Sequence, residues 1–179
     1  MNHEYDKHVP GIFYLVESKI NPKDSAKFKR QLNPNDTIES DFIGASDEDC
    51  QAWLLKEQDG VDFMETDMLM IADERSAIDS TLLVKVYVRE PGAFGFYDGI
   101  VDERQRFPDK GYTWYDFRID YKEAWSLLSD LHFGPSSLVE PVYYGRKDEC
   151  VDQNGVFSVA KADELAYHSG PHVIGKTGE

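Results

Sequence analysis

Apolar residues along the chain fall into short runs divided by polar, Pro- or Gly-marked breaks, and the spacing within each run predicts its element. Ile12-Phe13-Tyr14-Leu15-Val16 opens a strand over residues 11–20, and Asn21-Pro22 then starts a helix carrying Phe28 and Leu32 on one face. A short strand is expected over residues 37–42. Ser46 reads as the N-cap of a better-marked helix: Asp47, Glu48 and Asp49 fill its first turn, where the helix dipole favours negative charge. Cys50, Trp53 and Leu54 share one face of that helix, and Gly60 ends it.

Met68-Leu69-Met70-Ile71-Ala72 is a continuous apolar run, as expected of a strand covered on both sides, with Asp73 at its carboxyl end. Leu82 to Val88 is a second strand, rich in β-branched residues, and Glu90-Pro91-Gly92 breaks it. Tyr112 to Ile119 alternates as a third. Asp120 caps the next helix, with Tyr121, Ala124, Trp125 and Leu128 at helical spacing and Gly134-Pro135 at its end. Residues 139–144 and 155–160 read as closing strands. Strands alternating with helices predict the α/β class: one sandwich domain over residues 1–160, with a mixed sheet and about three packing helices. The region from Leu82 to Ile119 predicts antiparallel neighbours, and residues 161–179 read as a Gly-rich polar tail.

Charge changes this picture locally. The 179 residues carry a net charge of −15, which disfavours sequence-independent binding to nucleic acid. The interval from Asp41 to Asp79 holds twelve carboxylates against Lys56 and Arg75 alone. Asp47, Glu48 and Asp49 are accounted for by a helix start, and Asp73 by a strand end or cap. Of the other eight, Asp59, Asp62, Glu65, Asp67, Glu74 and Asp79 bracket one apolar strand as candidate partner-binding residues. No apolar run is long enough for a bilayer, and the first ten residues lack the basic-then-apolar order of a secretory signal, so a cytoplasmic protein with no membrane partner is expected. Cys50 and Cys150 belong to no Cys-x-x-Cys pair and read as free, partly buried thiols.

Motifs add little chemistry. Gly170 to Thr177 fits the P-loop pattern letter for letter, but two residues remain after it and no helix can follow, so nucleotide binding is not expected there. His168 and His172 are four apart with helix-breaking Gly170-Pro171 between them, and no metal or cofactor is expected. For acid–base work the candidates are Asp73, Asp116, Tyr97 and His132, with Tyr115 as a further titratable group. Phe94, Phe96, Trp114, Tyr115 and Trp125 would line the pocket such chemistry requires, although aromatics at these spacings also suit a core.

Several of these segments, taken in order, resemble a domain-of-unknown-function family of small bacterial and fungal α/β proteins. Asp41-Phe42 before the acidic helix start and Trp53, the apolar strand closing in Ala72-Asp73, and the strand Leu82 to Val88 resemble that family. So do Trp125-Ser126 and Asn154-Gly155-Val156-Phe157, giving a resemblance over residues 36–157. It implies a fold and no activity. The segments 11–32 and 90–112 depart from the family pattern.

Two functional readings follow. In the first the protein is non-catalytic and sets its acidic face against a basic protein, as immunity and inhibitor proteins do. In the second it is a small cofactor-free isomerase, cyclase or hydrolase that takes a small-molecule ligand into an aromatic pocket. A third account gives the acidity no role beyond solubility.

Overall fold

A computed structural model describes residues 13–20, 24, 26, 28, 29, 33, 35–57, 67–88 and 113–168. The described elements form an α/β fold, as the sequence pattern implied, and the chain divides into two compact units, Met1–Asp67 and Met68–Glu179.

In the first unit, helix α1 (Asp47–Glu57) starts as its sequence requires. Ser46 Oγ accepts the Asp49 amide at 3.2 Å while the Asp49 carboxylate accepts the Ser46 amide at 3.3 Å, a reciprocal capping box. Leu54 is buried, and Trp53 donates its indole N–H to the Lys19 carbonyl at 2.9 Å while Phe42 meets its ring edge-on. The helix expected after Pro22 is not formed at Phe28 and Lys29. Lys29 instead pairs with Leu15 in an antiparallel bridge, and Phe28 packs on the Tyr14 ring. Residues 37–42 form no strand; at their end the Phe42 amide donates to Ser40 Oγ and the Asp41 amide to the Glu17 carbonyl.

The second unit is built on a three-stranded sheet in the order β1 (Met68–Ile71), β2 (Thr81–Val88), β3 (Thr113–Asp120). Both pairings are antiparallel, with Met70 opposite Val84 and Val84 opposite Phe117. The parallel component expected of a mixed sheet is not among the described strands. Strand alternation puts Val84, Val86, Phe117 and Ile119 on the inner face, where helices α3 (Ala124–Phe133) and α4 (Ser136–Tyr143) contribute Ala124, Leu127, Val139 and Val142 to the same core. A short helix α2 (Ser76–Asp79) links β1 to β2. Phe117, Tyr143 and Phe157 form an aromatic cluster at the centre, with Phe117 and Phe157 edge-to-face at 5.0 Å.

Two expected closing strands are absent. Residues 139–144 are largely α4: the run Val139-Glu140-Pro141-Val142-Tyr143 is apolar enough for either element, and packing of Val139, Val142 and Tyr143 into the core selects the helix. Residues 155–160 give only one bridge, Phe157 to Val151, before helix α5 (Val159–Asp163) begins under a Ser158 cap. The assigned tail starts too early, since α5 continues into a wide helical turn (Glu164–His168) and Ala162 and Ala166 are buried. Among the described residues no helix is long and apolar enough to cross a membrane.

Candidate functional site

Three connections meet at one end of the sheet: residues 73–80 between β1 and β2, the exit of β3 at Arg118–Tyr121, and the turn Asp152–Gly155. Asp73 follows β1 and accepts the Ser76 amide at 2.9 Å, so it caps the turn into α2 as its position in the sequence suggested. It also holds Arg118. The register sets Leu83 opposite both Ile71 and Arg118, so Arg118 reaches across β2 on the outer face and donates both terminal nitrogens to the two Asp73 oxygens. The guanidinium bonds keep the Asp73 carboxyl far below the usual carboxylate range, with the Ser76 amide and hydroxyl adding to the effect against partial desolvation.

A second arginine stitches the remaining connections. Arg75 donates to Asp79 at 2.7 Å and to the Asn154 carbonyl at 2.8 Å. Asp79 also accepts the Thr81 hydroxyl at 2.6 Å; that bond, then Arg75, lowers its pKa. Asp152 accepts the Val156 and Asn154 amides, each at 2.8 Å, and those backbone donors likewise favour its ionised form. Gly155, at φ +76°, closes this turn in a backbone conformation that suits glycine. Phe157 then donates its amide to the Arg118 carbonyl at 2.6 Å, tying the turn to the edge of β3.

These residues border an open cleft of about 510 Å³ lined by Arg75, Asp79, Thr81, Asp120, Asp152 and Asn154, with Val156 at its apolar side. Across Thr81 lies a shallower depression of about 390 Å³ lined by Ala72, Asp73, Ala77, Leu82 and Tyr121 among others. Ile78, on α2, is 85% exposed and Tyr121 is 53% exposed. An acidic cleft thus adjoins exposed aliphatic and aromatic surface.

The residues singled out from sequence are dispersed by the fold. Glu74 and Asp79 are exposed in the connection just described, whereas Asp67 ends the first compact unit. Asp59, Asp62 and Glu65 lie outside the described residues, as do Tyr97, Phe94 and Phe96. Asp116 projects from the outer face of β3 to Lys85 at 2.9 Å. Trp114 and Tyr115, being successive strand residues, point to opposite faces: Trp114 packs on Tyr87, and Tyr115 packs on Tyr144 at 4.4 Å. Burial, then the nearby Glu140 carboxylate, raises the Tyr115 pKa, and its buried hydroxyl has no hydrogen-bond partner among the described residues. Trp125 and His132 lie on the exposed side of α3. These aromatics therefore do not line one pocket, and neither cleft is bordered by Asp116.

Arg75, Arg118, Asp120, Asp152 and Asn154 carry the sheet-end geometry without having been singled out. The two arginines act through pairings 45 and 79 residues apart, which no local spacing encodes, whereas Asp120 and Asp152 accept amides only two to four residues on. Among the described residues no three His, Cys, Asp or Glu side chains come together in a group that could hold a metal ion. Cys50 and Cys150 are both free, and burial raises each thiol pKa, leaving them poor nucleophiles. Compared with known protein families, with curated proteins and with solved structures, the chain matches none.

Proposed function

We propose that the protein is a non-catalytic, cytoplasmic binding protein that engages a basic partner through the acidic end of its sheet, in the manner of an immunity or inhibitor protein. The observation that carries this reading is the cleft in which Asp79, Asp120 and Asp152 face a single guanidinium, Arg75. A lysine or arginine side chain of the partner would enter there and meet the Asp152 carboxylate, oriented and favoured in its ionised form by backbone donors. Ile78 and Tyr121 would supply the apolar contact that charge alone does not, since exposed ion pairs give on-rate and register more than affinity. Of the six carboxylates proposed from sequence, Asp79 borders the cleft and Glu74 is exposed in the same connection. The resemblance to the small bacterial and fungal family stays part of the proposal and adds no activity to it.

The test is a titration with a Lys/Arg-rich peptide at about 50 and 300 mM salt, conditions that change the screening length roughly twofold. Binding should weaken at the higher salt, and Glu74→Gln with Asp152→Asn should weaken it at low salt by up to about fivefold per charge. Affinity indifferent to both salt and these substitutions would remove the basis for the reading.

A further inference from the structure

A cluster of titratable groups lies away from the sheet end, where three helices meet. Tyr143 on α4 is fully buried, and its hydroxyl contacts Asp130 of α3 at 2.8 Å and Asp163 of α5 at 2.9 Å. A phenol has one hydrogen and can donate to only one carboxylate. With both carboxylates ionised, the second contact would set an anionic oxygen against the phenol lone pairs, with nothing to bond them. Both distances are those of hydrogen bonds, and a second proton on one carboxyl group lets both be made in full. We propose that Asp130 and Asp163 share this proton across the Tyr143 hydroxyl, making the α3–α4–α5 junction a latch that loosens when the proton is lost.

The surroundings favour that protonation state. Tyr167, one turn beyond Asp163, is a further titratable group against the pair, and Asp130 and Asp163 both raise its pKa after burial does. The described ion pairs lie elsewhere. Glu140 of α4 bears on Tyr115, and Lys161 of α5 bears on Cys150. Burial first, and the Asp163 carboxylate after it, raise the Asp130 pKa against the opposing bond from Tyr143. Burial likewise raises the Tyr143 pKa, and its bonds to the two aspartates raise it further, so the phenol stays protonated.

Because the folded state holds this proton more tightly than the unfolded chain, the latch contributes fully below the unfolded aspartate value of about 3.9 and is lost as pH rises through the higher folded value. Two adjacent negative charges with one phenolic hydrogen between them then repel, and the element free to yield is α5 with the turn that follows it.

The experiment is a side-chain carboxyl NMR titration of the full chain between about pH 3 and 8, read with amide hydrogen exchange over residues 159–168. The carboxyl resonance of Asp130 should titrate above about 3.9, and protection of residues 159–168 relative to β2 should fall through the same range, after correction for intrinsic exchange. In Asp163→Asn, whose amide substitutes for the protonated carboxyl, the Asp130 midpoint should drop and the pH dependence of protection should vanish. Titration of the wild-type Asp130 carboxyl at or below about 3.9 overturns the shared proton, whether or not the variant folds. Protection unchanged across the titration overturns the latch.

Discussion

Replacing Asp73 by asparagine tests whether the clasp between β1 and β3 holds the sheet end together. The substitution keeps the shape and an acceptor for the Ser76 amide, but removes the charge and one of the two oxygens that Arg118 grips. Bonds to a charged partner contribute about 1.5–3 kcal/mol when shielded and fully exposed ion pairs about 0.2–1 kcal/mol. The Arg118 side chain is 12% exposed and that of Asp73 35%, so solvent screening discounts the upper range and the expected loss is about 1.5 kcal/mol at neutral pH. With a urea slope of about 2 kcal/mol/M, the unfolding midpoint should fall by about 0.7 M. Fluorescence of Trp114 and Trp125, with Trp53 replaced by phenylalanine, reports the second unit. The pH dependence has a definite sign. The folded-state pKa of Asp73 is depressed, so its contribution is present above the unfolded value of about 3.9 and disappears as pH falls toward the lower folded value. The gap between wild type and Asp73→Asn should therefore close below about pH 4. A gap that is absent at neutral pH, or that persists unchanged in acid, would refute the reasoning.

Tyr115→Phe removes a buried hydroxyl that has no partner among the described residues while keeping its ring against Tyr144, so stability should be unchanged or rise by up to about 1 kcal/mol in the same denaturation assay. Gly134→Ala should destabilise by about 1–3 kcal/mol, because a Cβ there would lie 2.4 Å from the Asp130 carbonyl oxygen and 2.6 Å from a Val139 methyl. The backbone φ at Gly134 suits any residue, so a neutral result would mean that the α3–α4 corner relaxes at little cost.

Local chemistry was legible in the sequence. The Ser46–Asp49 box, the cap at Asp73, the antiparallel strands from Leu82 to Ile119 and the Gly134 stop all follow from short-range rules. Errors arose where tertiary packing chooses between elements that a segment suits equally. The Val139–Tyr144 run reads as a strand by composition, and core burial of Val139, Val142 and Tyr143 makes it helical. Residues 161–168 look polar in bulk, yet Ala162 and Ala166 are small enough to bring this helix onto the core. Trp125 fits helical spacing but turns outward, since Ala124 and Leu127 define the buried face of α3. The candidate site was the least legible part. Aspartates 73, 79, 120 and 152 become one surface only through the strand register and two long-range arginine bridges, whereas acidic content in sequence drew attention to a contiguous block.

The most direct test of the acidic sheet end is to map a Lys/Arg-rich peptide onto the protein by amide chemical shifts at low ionic strength. The account predicts perturbations concentrated at residues 73–81, 118–121 and 152–156, lost together as salt rises. Shifts spread evenly over the exposed carboxylates, including Glu48 of α1 and Asp148, would contradict it.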